Sequence, residues 1–330
     1  MIRVSRFQPA WWLRNRHLQT IVPNLFRPRP DIHVTRERIE LPDGDFVDAD
    51  WVGRRSSGPI VVLLHGLEGN IESRYAGWML KRLDESGYRP VLLNFRSCSG
   101  EVNRKPNSYH SGHTADFDHF VRLVHEREPG VRMAAIGYSL GGNALLKWLG
   151  ENGRQDLVET GIAASVPFRL AECSEAVNEG LSKIYQKHLM GRMKATAIAK
   201  QDLIRAAGHD PEIHSLKTFR DFDEALTAPL HGFASADDYY DRCSSIRFLE
   251  SICTPTLVIH AKDDPFMRET TPPTEDEISD FVEVELSEHG GHVGFVSGRW
   301  PWKPRYFLEE RMFEHLAQHF PLARGTQAVA

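Results

Sequence analysis

The sequence predicts an α/β fold: a mostly parallel sheet with helices on both faces, interrupted by a helical insertion. Two observations carry this. Short apolar runs alternate with stretches of helical spacing from residue 60 to residue 166. That rhythm then stops and resumes only at Thr256-Leu257-Val258-Ile259-His260. Composition agrees, since 330 residues at 41% hydrophobic and 26% charged can bury a sizeable core and exclude disordered or collagenous chains.

Taken in order, Ile32 to Leu41 reads as a strand, followed by the turn Pro42-Asp43-Gly44-Asp45 and a second strand from Phe46 to Trp51. Ile60-Val61-Val62-Leu63-Leu64 is continuously apolar, as a strand covered on both faces must be. Tyr75, Trp78, Met79, Leu80 and Leu83 then fall at helical spacing, closed by Ser86-Gly87. Further strands are expected at Pro90–Phe95, Met133–Ile136 and Ile162–Val166, with helices over 114–127 and after Gly137. Within 168–253, Leu181, Ile184, Tyr185, Leu189 and Met193 suggest a helix, and Ala195 to Ala207 is helix-prone. That apolar stripe is read as packing rather than pocket. Phe281–Leu286 is the last strand expected, and a helix from about Arg305 to His319 follows.

The expected organisation is a core of 31–167 and 254–321 and an insertion of 168–253, with 322–330 as a flexible tail. Residues 1–30 form a segment packing its tryptophans, Trp11 and Trp12, on that core. No signal peptide is read, because Met1 to Arg6 is not followed by an apolar run. Phe7 to Phe26 carries too many polar residues to span a bilayer, although Trp beside Arg leaves room for weak peripheral membrane contact. The net charge of −5, with signs interspersed, argues against nucleic acid as a partner. Cysteines at 98, 173, 243 and 253 form no CxxC pair, so free thiols and a cytoplasmic location are expected. Oligomeric state is not legible.

The chemistry concentrates at three turns. Met133–Ile136 runs through Gly137-Tyr138-Ser139-Leu140-Gly141 straight into a helix, which is G-x-S-x-G in its strand–turn–helix setting. The turn presents Ser139 as a nucleophile, and the helix N-terminus behind it supplies oriented N–H groups. A serine needs a base, and the base an orienting carboxylate, in the chain order Ser, acid, His. Asp263 and Asp264 follow the strand after the insertion, and Asp264 is preferred because the extra residue clears the strand end. His289 and His292 follow the last strand. His292 is preferred because Gly290-Gly291 lets the loop fold over the serine. As a metal pair the two histidines lack nearby partners, so neither metal nor cofactor is expected. The backbone amides of Leu67 and Leu140 are the expected oxyanion hole, with His65 a structural hydrogen-bonding residue.

These residues resemble the α/β-hydrolase superfamily, in particular its YheT-like branch, the AB hydrolase 4 family. The resemblance covers nearly the whole chain. It includes Phe7 to Asn15 with His17-Leu18-Gln19-Thr20, His65 to Gly69, Asn94-Phe95-Arg96, Tyr109-His110 with Gly112, and Gly137 to Asn143. It continues through Phe222-Asp223, His231-Gly232-Phe233, Tyr239-Tyr240, Ala261 to Phe266 and His289 to Phe295. Ser97 departs from it, since many relatives place glycine directly after the arginine. The resemblance implies an esterase using Ser139, Asp264 and His292, with short- to medium-chain acyl esters or lipid-like esters as substrates. An acyltransferase or thioesterase using the same residues is the alternative, and a non-catalytic binding protein on this scaffold the second.

Overall fold

The computed structural model describes residues 1–322. Its centre is a nine-stranded sheet built from β1 (Ile2–Val4), β2 (Val34–Glu40), β3 (Phe46–Val52), β4 (Ile60–Leu64), β5 (Arg89–Leu93), β6 (Met133–Tyr138), β7 (Thr160–Ala164), β8 (Thr256–Ala261) and β9 (Val282–Ser287). The spatial order is β1-β9-β8-β7-β6-β4-β5-β3-β2. Only the β2–β3 and β3–β5 pairs are antiparallel. The parallel strands therefore end along one edge, where sheets of this kind carry their sites.

All five side chains of β4 are buried, as its unbroken apolar run requires. Val62 and Leu64 join one core layer with Phe117, Phe120, Val121 and Val124 of α3 (Ala115–Arg127) and with Leu145 and Leu149 of α4 (Leu140–Asn152). Val61 and Leu63 join the other, with Met79, Leu80 and Leu83 of α2 (Arg74–Ser86) and a C-terminal helix (Phe307–His319) contributing Leu308, Met312 and Leu316. Each such buried aliphatic side chain contributes about 1.5–3 kcal/mol. Gly87 closes α2 in the left-handed region, as the Ser86-Gly87 pair predicts.

Between β7 and β8 the chain forms helices joined by turns and short loops. It runs through α5 (Leu170–Ala176), α6 (Ser182–Ala199), α7 (Gln201–Ala206), α8 (Phe219–Phe222), a π-helical turn (Asp223–Thr227), α9 (Ala228–His231) and α10 (Ala236–Cys243). Two small cores of its own, one around Tyr239 and Tyr240 and one around Ile204 and Leu226, hold it together. Lys200, buried between α6 and α7, fastens it to the sheet domain through Asn103 Oδ1 (2.6 Å), the Asn107 carbonyl (2.9 Å) and Ser108 Oγ (2.9 Å).

Several elements differ from the sequence reading. The helix-prone stretch 195–207 breaks at Lys200, whose ammonium turns inward. The strand expected to reach Val166 stops at Ala164, because Ser165 takes a left-handed φ of 53° and turns the chain. A hairpin, β10 (Val296–Trp300) with β11 (Lys303–Tyr306), precedes the last helix, now α11 (Phe307–His319). The N-terminal segment is more than a packing strip: Ile2–Val4 extends the sheet beside β9, and α1 (Arg16–Phe26) lies over the turns after the strands. Trp12 is half-buried, but Trp11 is 64% exposed and only its indole N–H is engaged, on the Arg299 carbonyl. Of the tail read at 322–330, Leu322 packs partly buried on the core, and 323–330 lie outside the described residues. Among the described residues no helix is long and apolar enough to cross a membrane.

Candidate active site

Ser139 sits between β6 and α4 with φ 52° and ψ −120°, a strained conformation for a residue with a side chain. Its own N–H is tied to the Ala164 carbonyl at 2.8 Å, and its carbonyl accepts from Asn143 N–H at 3.0 Å. The turn works only because Gly141 has no β-carbon: one there would lie 2.5 Å from the carbonyl oxygens of both His65 and Leu64.

Two acids and two histidines arrive from the neighbouring strands. After β8, Asp264 is fully buried; its Oδ1 accepts from Phe266 N–H (2.9 Å) and its Oδ2 lies 2.8 Å from His292 Nδ1. His292 Nε2 lies 3.0 Å from Ser139 Oγ. The carboxylate holds the proton on Nδ1, so Nε2 is left to accept from the serine hydroxyl. Asp263 faces the other way, bonding His289 Nδ1 (3.2 Å) and Gly291 N–H (3.0 Å), and burial raises its carboxyl above the usual range. The structure thus brings Ser139, Asp264 and His292 together and leaves Asp263 and His289 as a separate, partly exposed pair.

The loop carrying His292 is fastened from outside the sheet. Gly291 is left-handed (φ 60°), and a β-carbon on it would meet the Arg16 carbonyl of α1 at 2.5 Å. Thr20 Oγ1 accepts His292 N–H at 2.9 Å, and Ser165 Oγ accepts Val293 N–H at 3.0 Å. The Phe266 ring lies against the His292 imidazole, centroids 4.2 Å apart, with Tyr185 stacked behind it at 5.1 Å. Sequence reasoning missed these supports. Phe266 could be suspected from following Asp264-Pro265, but nothing local ties Thr20 to a histidine 272 positions later.

After β4 the turn carries Leu67. The flanking amides are occupied: Gly66 N–H donates to the Tyr75 hydroxyl and Glu68 N–H to the Tyr109 hydroxyl, both at 2.8 Å. Leu67 N–H and Leu140 N–H have no hydrogen-bond partner among the described residues, and both leucines line the same cavity as Ser139. Burial raises the Tyr75 and Tyr109 hydroxyls, so both stay protonated. His65 is fully buried, with Nδ1 on the Gly66 carbonyl (2.7 Å) and Nε2 accepting from Phe95 N–H (3.1 Å). Burial lowers it to about 4, so it is a neutral structural residue. Ser97, where the family resemblance leads one to expect glycine, takes φ 69° and accepts from Asn103 N–H through its own hydroxyl.

A cavity of about 860 Å³ opens above Ser139 and His292, between α1, α6 and the Leu67 turn. Ile184, Tyr185, Leu189 and Met193 line it, so the stripe read from the sequence as packing faces this space. The reason is that α6 lies over a hollow and Ile184 is 64% exposed.

A strained serine after β6, a histidine loop after β9 and a buried acid after β8 are the arrangement of an α/β-hydrolase. The family model described as the alpha/beta hydrolase fold matches residues 59–298, and the chain belongs to that family. Within it, the chain belongs to the YheT-like branch. It is 40% identical to YheT of Escherichia coli (strain K12), whose name labels it provisionally an esterase, over 96% of this chain and 94% of that one. It is also 29% identical to "Phospholipase ABHD3" of Mus musculus, over 94% of this chain and 78% of that protein. In fold alone it resembles the alpha/beta hydrolase GrgF from Penicillium sp. sh18 (TM-score 0.58, 15% identity, 87% of this chain and 99% of that one). The Pyrococcus furiosus esterase Pf2001 is similar at TM-score 0.54 and 15% identity, over 97% and 98% of the two chains.

Proposed function

We propose that the chain is a serine hydrolase of carboxylic esters, with Ser139 as nucleophile, His292 as general base and acid, and Asp264 as the carboxylate that orients it. The single observation behind this reading is the unbroken relay of 2.8 Å and 3.0 Å contacts from Asp264 through His292 to Ser139.

In this reading His292 Nε2 takes the Ser139 proton as Oγ bonds to the ester carbonyl carbon. The carbonyl electron pair moves to oxygen, and the amides of Leu67 and Leu140 stabilise the oxyanion. The oxyanion collapses, the C–O bond to the alcohol breaks, and His292 returns the proton to the leaving alkoxide. Water, deprotonated by His292, then attacks the acyl-enzyme; the acid leaves and Ser139 regains its proton. No cofactor enters these steps.

The lining by Ile184, Leu189 and Met193 supports acyl esters of short to medium chain, or lipid-like esters of similar bulk. Relatives named as phospholipase and monoacylglycerol lipase point the same way. Four unpaired cysteines support a cytoplasmic setting. The test is a series of p-nitrophenyl acyl esters of increasing chain length, run on wild type and Ser139→Ala together. Turnover by wild type that vanishes in the variant is expected; equal turnover by both rejects the reading.

A further inference from the structure

Three histidines converge on the cavity wall from two distant stretches of chain. His110 and His113 lie in the loop between β5 and α3, and His231 ends α9 of the insertion. Each can offer a ring nitrogen, and these nitrogens lie within 4.8 Å of one another. Zinc holds imidazole nitrogen at about 2.0–2.1 Å, so an ion among the three would draw these nitrogens closer together. His110 and His113 stand at His-x-x-His spacing, but 118 positions separate His113 from His231, so the third member becomes visible only in the fold.

The hydrogen bonding of the cluster is incomplete. Buried polar atoms nearly always have partners, and one without asks for a bound ion or water. His110 Nδ1 has partners, accepting from Gly112 N–H at 3.2 Å and lying 3.7 Å from Cys243 Sγ. His113 Nε2 lies 3.1 Å from Asp116 Oδ1, so its partner is that carboxylate. Among the described residues no hydrogen bond reaches either ring nitrogen of His231, a half-buried residue. Asp116 is itself fixed by Arg96, Nε to Oδ2 at 2.8 Å and Nη2 to Oδ1 at 2.7 Å. With Asp116 lying against Nε2, His113 would meet an ion through Nδ1, since a carboxylate behind the far ring nitrogen is the usual outer support of a metal-binding histidine.

We propose that His110, His113 and His231 form a Zn²⁺ site that ties the helical insertion to the sheet domain at the wall of the cavity. His110 and His231 both line that cavity, so the ion enters from it and a water completes the fourth position. The site takes no part in the chemistry of Ser139, and it stands or falls independently of the hydrolase reading. The competing account is an aromatic cluster alone: His110 meets His231, Phe233 and Tyr239 edge to face, with centroids 4.5, 5.3 and 5.4 Å apart.

The test uses the full chain freed of metal by chelation and then titrated with Zn²⁺, and with Co²⁺ as a visible reporter. Wild type is expected to bind a single equivalent, to give the absorption of tetrahedral cobalt, and to melt at a higher temperature with Zn²⁺ than without. His231→Gln and His113→Gln, one from each stretch, are expected to bind at least about 100-fold more weakly while melting like metal-free wild type. X-ray absorption on zinc-loaded wild type needs no variant to fold, and should count three imidazole nitrogens. No binding by wild type, unchanged binding by both variants, or fewer than three imidazoles on the ion overturns the site in favour of aromatic packing.

Discussion

Asp264 Oδ2 and His292 Nδ1 meet at 2.8 Å, while the adjacent carboxylate, Asp263, bonds His289 and the Gly291 amide instead. Two neighbouring acids and two nearby histidines are thereby sorted into two pairs. His292, in the first pair, reaches Ser139; His289, in the second, is an exposed residue.

That division predicts opposite outcomes for two similar substitutions. Asp264→Asn should lower kcat about 10⁴-fold, because the imidazole loses its fixed tautomer. Asp263→Asn should keep kcat within about tenfold, since it loosens the loop without touching the relay. Steady-state kinetics on a p-nitrophenyl ester separates them, and the reverse order would assign the acid to Asp263.

Thr20 predicts a contribution from α1. Thr20→Val removes the acceptor for His292 N–H, leaving a part-buried donor unpaired at a cost of up to about 1–3 kcal/mol. The expected result is a kcat lowered by about tenfold to a hundredfold with KM nearly unchanged. Wild-type kcat in a folded variant would mean that the loop is held without it.

Gly141→Ala probes the turn itself. Its β-carbon would stand 2.5 Å from two carbonyl oxygens, so the strand and helix must part. Thermal or urea unfolding should show a loss of at least about 1–3 kcal/mol, together with lost turnover. An unchanged midpoint would contradict the close approach.

Acid stability follows from buried neutral histidines. Burial lowers His65 and His260 to about 4 and His315 to about 3, from an ordinary 6.5. A group whose folded pKa is depressed stabilises the protein above its unfolded value, and that stabilisation is lost as pH falls through the folded value. Urea midpoints should therefore fall between about pH 7 and about pH 4, with a slope that His315→Gln reduces. A flat profile would contradict the burial of these rings.

Much of this was legible in the residues. The apolar run Ile60–Leu64 read as a strand covered on both faces, and G-x-S-x-G between Met133–Ile136 and a helix placed Ser139 at the sheet edge. Gly290-Gly291 marked the loop that carries His292. What escaped depends on long-range contact. Ile2–Val4 is too short to show a strand pattern and becomes one only beside Val284. Thr20 and Ser165 matter through backbone amides of a distant loop. The stripe on α6 has the same spacing whether it faces a core or a hollow, so its role at the cavity needed the fold. The hairpin at 296–306 carries Gly298, Pro301 and Pro304, which hide alternation.

The most direct test of the central claim is covalent labelling with a fluorophosphonate probe, mapped by peptide mass spectrometry. A single adduct on Ser139 is predicted, absent from Ser139→Ala and much slower to form in Asp264→Asn. A protein that hydrolyses esters yet carries no adduct on Ser139, or that keeps full turnover as Ser139→Ala, would contradict the account.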